Sequence, residues 1–180
     1  KGLQAAEKRS SRATREGVVH SYIHGGGRLG VLVEVNCETD FVARNEEFLN
    51  FAREIAVHVA SAAPRWVSED DVPDDELARE RTIFEQQADS DKPEEVRKKI
   101  AEGRLRKWLE EVVLLDQKHV NADRHEGRTI EQLRADLSAK TGTAVLLVSD
   151  YPTLKDASGL VSDLLYFGRY GDHVAAFFAP

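Results

Sequence analysis

The 180-residue sequence predicts an α+β fold, with an antiparallel β-sheet built from hairpins and packed against several helices. Three observations lead there. Alternating β-branched residues flank a glycine turn near the start of the chain. Apolar residues recur at helical spacing through its middle. Short apolar runs return near its end.

Lys1 to Glu16 is rich in Ala, Arg, Lys and Glu and reads as a helical approach segment ending at Gly17. Val18, His20, Tyr22 and His24 then alternate with Val19, Ser21 and Ile23, Gly25-Gly26-Gly27 turns the chain, and Leu29 to Val35 returns as the second strand. Asn45 is a good N-cap, followed by Glu46 and Glu47, where the helix dipole favours acids. Phe48, Phe51, Ile55, Val59 and Ala62 mark one face of a helix that Pro64 stops. Trp66-Val67 is a short extended connector, and Ser68 to Pro73 an acidic hinge. Two further helices are expected, Asp74 to Gln87 and Pro93 to Leu115, with Gly103 a possible break in the second. Ala122 to Gly127 reads as a polar loop, and Thr129 caps a helix from Ile130 to Lys140 that Gly142 ends. Thr143 to Val148 is a strand candidate, and Leu160 to Leu165 fits helix or strand. Tyr166 to Phe178, with a Gly-Arg tip at 168–171, predicts a second hairpin completing the same sheet.

The balance is acidic, 32 Asp and Glu against 25 Lys and Arg. That argues against direct nucleic-acid binding, which needs a basic face to release counterions. No apolar run approaches the roughly 20 residues of a membrane span, and the charged start lacks the apolar centre of a signal peptide. One cysteine excludes an internal disulfide framework and a Cys-rich zinc site, and a reducing, cytoplasmic setting is expected.

Catalytic constellations are hard to find. The six histidines are His20, His24, His58, His119, His125 and His173, and no two of them form a metal-binding motif of known spacing with a nearby acid. His20 and His24 share a strand face but have no third ligand, and half-buried strand residues are the plainer reading. Cys37 ends a strand without an adjacent base and reads as a buried, inert thiol. Gly25-Gly26-Gly27 is a hairpin tip rather than a phosphate loop. The acid clusters at 69–75 and 89–95 are solvated helix ends. No catalytic residue, cofactor or metal is expected, and a binding module is favoured over an enzyme. An α+β ligand-binding domain stays open if His20, His24 and His173 converge.

The most informative stretch is Glu34-Val35-Asn36-Cys37-Glu38-Thr39-Asp40-Phe41-Val42-Ala43-Arg44. It runs from a strand into the start of a helix and sets an acid beside a bulky aromatic at the turn. From spacing alone Phe41 packs under its own helix, on Phe48. The other choice is that it is offered to a partner. These eleven residues resemble, position by position, the motif of the elongation factor Ts family. Tyr22-Ile23-His24 with Gly27 to Val33, Pro64, Val72-Pro73, Glu80-Arg81, Lys92-Pro93, Glu102 to Leu105 and Leu114 to Gln117 follow in family order. The resemblance covers Gly17 to Gly142.

The resemblance implies a guanine-nucleotide exchange factor that releases GDP from elongation factor Tu. It implies that Asp40 and Phe41 insert between helices of the Tu nucleotide-binding domain and disturb the Mg²⁺ that clamps GDP. Thr39, Val42 and Arg44 would share that contact, and Arg44 stands unfavourably near a helix N-terminus for a cation without a partner. His24 would touch another domain of Tu. Residues 1–16 are then a linker or helix tail after a missing N-terminal three-helix domain. Residues 17–180 form the core and dimerisation domain: first hairpin and helix at 17–67, a helical part at 68–142, and a divergent C-terminal β segment at 143–180. The family's last strand carries a Glu-Asn pair and arginines that are absent here. With one copy of the core half, the implied assembly is a homodimer, for which Ala175, Phe177 or Phe178 supplies apolar surface. A dimeric scaffold of the same family without exchange activity is the competing reading.

Overall fold

The computed structural model describes residues 16–147 apart from 28, 89, 90 and 92, together with the backbone of Val174–Phe178. The expected approach segment, the element at Leu160 to Leu165, the Tyr166–Gly171 part of the second hairpin, and His173 lie outside the described residues.

The first hairpin forms as its alternation predicts. Strand β1 (Glu16–His24) pairs antiparallel with β2 (Leu29–Cys37), His24 opposite Leu29 and Glu16 opposite Cys37. Gly25, Gly26 and Gly27 all take positive φ, 60°, 69° and 89°, a region that side chains with a Cβ disfavour. Strand β2 continues past Val35 because Asn36 and Cys37 have partners on both sides. Gly17 faces Asn36, and a Cβ on Gly17 would lie 2.3 Å from Asn36 Oδ1, so only glycine fits there. On the other edge of β2, β3 (Val145–Leu147) pairs antiparallel with Val35–Cys37, and β4 (Val174–Phe178) pairs antiparallel with Leu29–Val33. The C-terminal segment therefore supplies strands to the same sheet, as expected. The strand at 143–148 begins later than predicted because Gly142, at φ 70°, turns the chain and Val145 N–H donates to Ser138 Oγ at 3.0 Å.

One face of this sheet is the core. Val31, Val33, Val35 and Cys37 are buried against helix α2 (Glu46–Ala62), which contributes Phe48, Phe51, Ala52, Ile55, Ala56 and Val59. Asn45 caps α2 through Oδ1, accepting from Glu47 N–H at 2.8 Å, and the helix ends at Ala62, with Ala63 as its left-handed C-cap before Pro64. Ile130, Leu133 and Leu137 of helix α6 (Ile130–Thr141) join the same core. Thr129 and Gln132 close a reciprocal capping box at its start. Arg134 chelates Glu131 at 2.6 Å and donates to the Val145 carbonyl at 2.6 Å, fixing α6 to β3.

Three expectations for the middle of the chain are corrected. Gly103 does not break its helix: α4 (Glu94–Val112) runs through it, with Ala101 and Leu105 buried on either side. The same helix stops at Val112, not Leu115. Leu114 N–H donates to the Trp66 carbonyl at 2.8 Å and Leu115 N–H to Val67 at 3.0 Å, so residues beyond Val112 are drawn into extended pairing. The polar loop at 122–127 contains a short helix, α5 (Ala122–His125), because Asn121 Oδ1 accepts from Arg124 N–H. Helix α3 (Asp74–Gln86) packs on α4, tied at its exposed face by Arg81 to Glu102 at 2.9 Å.

Candidate partner-binding site

The turn after β2 is built from both ends. Cys37 is fully buried; its Sγ–H donates to the Thr39 carbonyl at 3.2 Å, and burial pushes its thiol up from the ordinary value. Extended at φ −141°, Thr39 N-caps the one-turn helix α1 (Asp40–Ala43), its Oγ1 accepting from Val42 N–H at 3.4 Å. Arg44 N–H closes the turn on the Asp40 carbonyl at 3.1 Å.

Within one helical turn, neighbouring side chains point about 100° apart. Val42 enters the core at 9 % exposure, so its neighbour Phe41 is thrown outward and is 86 % exposed. The packing that spacing alone suggested for Phe41 changes here, and the outward placement that the resemblance implied is found. Phe41 does not pack on Phe48, which is completely buried without it. Val42 anchors the turn internally, its side chain lying in the core. Asp40 is half-buried, and Arg44, exposed, holds its carboxylate at 3.3 Å. That i,i+4 pair explains a cation beside a helix N-terminus: it serves the acid of the preceding turn.

The structure does not bring His24 to this turn. His24 ends β1 at the hairpin tip, whereas Asp40 and Phe41 follow the opposite end of β2. The nine residues of β2 set them roughly 30 Å apart at about 3.4 Å per residue. Tyr22 Oη lies 2.7 Å from His24 Nδ1, and Ile23 beside it is 64 % exposed. The candidate site is thus two patches at the two ends of one stiff hairpin. His20 is half-buried, as its strand position suggested, but His24 is exposed, because it ends the strand at the hairpin tip.

A second cluster escaped the sequence reading. Glu54 and His58 on α2 meet His119 from the connection after α4 and His125 from α5. His58 Nε2 is 2.8 Å from Gln117 Oε1, and its Nδ1 accepts from Val120 N–H at 3.2 Å. Burial pushes its pKa down to about 4. His119 stacks on His58 with ring centres 5.4 Å apart and meets His125 edge-on at 4.2 Å. Glu54 Oε2 lies 3.2 Å from His125 Nε2, and Arg124 Nη1 2.8 Å from Glu54 Oε1. No local spacing announces this group, because its members come from segments about sixty residues apart and only packing unites them.

Residues 6–149 match the family model described as Elongation factor TS, most of the chain. The chain belongs to the elongation factor Ts family. It is 50 % identical over 148 residues to the elongation factor Ts of Syntrophus aciditrophicus (strain SB), an alignment covering 82 % of this chain and 72 % of the relative. Against that of Caldanaerobacter subterraneus subsp. tengcongensis it is 47 % identical over 148 residues, with the same coverage. Against that of Anaeromyxobacter sp. (strain Fw109-5) it is 50 % identical over 143 residues, 79 % of this chain and 64 % of the relative. The elongation factor Ts match begins before Gly17 and extends past Gly142 through β3, so it reaches further at both ends than the motifs alone. The family places the chain in protein biosynthesis, at translation elongation. Among the described residues, no helix is long and apolar enough to cross a membrane.

Proposed function

We propose that this chain promotes GDP release from elongation factor Tu by inserting the Asp40–Phe41 turn near the Mg²⁺-nucleotide site. The observation that carries this is the 86 % exposure of Phe41 on a turn whose other members are fixed. Burying a Phe side chain is worth about 1.5–3 kcal/mol, and this one is left unburied in the free chain. Val42, the Thr39 cap and the Asp40–Arg44 pair hold the turn in place, so little ordering entropy is lost on docking. A rigid aromatic suits a wedge because it carries large contact area on two rotatable bonds. Exchange then follows from differential binding: the chain displaces GDP to the extent that it binds the opened Tu better than the GDP-bound one. His24, far along the hairpin, supplies a second contact on another domain of Tu, and two copies of this chain form the working assembly.

The test is the release rate of labelled GDP from Tu. The wild-type chain is expected to accelerate release, and Phe41→Ala to lose at least about tenfold of that acceleration, equivalent to about 1.4 kcal/mol. Equal acceleration by both proteins refutes the wedge. No acceleration by the wild-type chain refutes exchange and leaves the dimeric scaffold.

A further inference from the structure

We propose that Glu54, His119 and His125 form a binding site for a divalent transition metal of the Zn²⁺ class, clamping α2 to α5 and the loop before it. One ligand atom from each of the three lies within 4.8 Å of the other two. Tetrahedral zinc with bonds of about 2.0–2.1 Å needs its ligand atoms roughly 3.3 Å apart. His125 Nε2 and Glu54 Oε2, at 3.2 Å, already have that spacing. His119 closes the triangle by a side-chain movement on the order of 1 Å.

A second observation points to a ligand. His125 Nε2 is sealed from solvent, and although Glu54 is close, it makes no directed hydrogen bond. A buried ring nitrogen left in this state is unusual, and a cation between it and the carboxylate would satisfy both. The donor set of two imidazoles and one carboxylate is the set that open zinc sites use, leaving a fourth position for water.

The surroundings permit entry and orientation. A crevice of about 270 Å³, lined in part by Phe51, Glu54, Arg124 and His125, opens beside the cluster. His58, pinned by Gln117 and Val120, stacks behind His119 and holds its plane. Two costs oppose binding. His119 must yield one of two contacts, a long one from Nε2 to the Glu54 carbonyl at 3.4 Å or an ordinary hydrogen bond from Asn121 N–H to Nδ1 at 3.1 Å. Arg124 keeps a positive charge on Glu54 Oε1. Both costs set a moderate affinity rather than forbid the site, since Glu54 coordinates through its other oxygen.

The experiment uses the full chain, stripped with a chelator and titrated with Zn²⁺, reading binding by calorimetry and the melting temperature with and without metal. One equivalent is expected to bind. At about a hundredfold excess over Kd it should raise the melting temperature on the order of 5–10 °C. Co²⁺ should give the visible absorption of a four-coordinate site. Glu54→Gln and His125→Ala are each expected to abolish the metal-dependent shift, and His20→Asn to keep it. Because the shift is read within each protein, a variant that melts lower without metal still gives an answer. Failure of the wild-type chain to take up one equivalent, or persistence of the shift in both variants, overturns the site and leaves a metal-free ion pair.

Discussion

At the residue scale, the decisive pair is Phe41 and Val42. Hydrophobicity names both as core residues, but a single helical turn can send only one of two neighbours inward. The shorter, branched Val42 fits beneath the turn, and Phe41 goes out. Stability measurements should separate Phe41 from Phe48. Phe48→Ala empties a fully buried position and is expected to cost about 3–5 kcal/mol, whereas Phe41→Ala should change unfolding free energy by no more than about 0.5 kcal/mol. Urea unfolding of the two variants tests this, and a large loss from Phe41→Ala would mean that its side chain packs inside. The Asp-Phe pair was legible in the sequence as a motif. Its direction was not legible from spacing, since alternation and helical period do not say which of two adjacent apolar residues is buried; the family resemblance alone implied that Phe41 is offered outward.

At the element scale, local signals placed most boundaries and tertiary pairing moved the rest. Caps at Asn45 and Thr129 and the stops at Pro64 and Gly142 act within four residues of themselves, so they were readable. The end of α4 was not, because what stops it is the Trp66–Val67 connector, far back in the chain. Just beyond that pairing sits Asp116. Burial first, then the charges of Glu69, Glu110 and Glu131, push its carboxyl above the ordinary value of 3.8. The folded state therefore binds this proton more tightly than the unfolded chain. The stability Asp116 lends is fully present below the ordinary value and is lost as pH rises through the raised one. Asp116→Asn, which removes a partly buried charge from among Glu69, Glu110 and Glu131, is expected to stabilise the chain at pH 7. The gain should stay under about 1 kcal/mol, since the group is partly screened by solvent. That gain should disappear below about pH 3.8. Thermal melts at the two pH values decide it, and an unchanged or lower melting temperature at pH 7 would show that the carboxylate is stabilising.

At the scale of the whole molecule, the hairpin separates His24 at its tip from the Asp40–Phe41 turn at its other end, and the proposed pairing of two copies is tested on its outer strand. Among the described residues, β1 pairs on one side only, with Val19 58 % and Ile23 64 % exposed along it. Sedimentation equilibrium should return about twice the 20.1 kDa chain mass if two copies make the working unit. A monomer at tens of micromolar, on the order of ordinary assay concentrations, would refute the pair. The sequence by itself determined the strands, the capped helices and the motif that marks the family, because periodicity, caps and turn residues act over a few neighbours. Only the tertiary structure decided that Val42, not Phe41, is buried beneath the turn and that Glu54, His119 and His125 meet. Those outcomes depend on how α2 sits against the sheet and against a segment 59 to 65 residues later. Contacts at that separation are set by packing, and no local pattern in the chain encodes them.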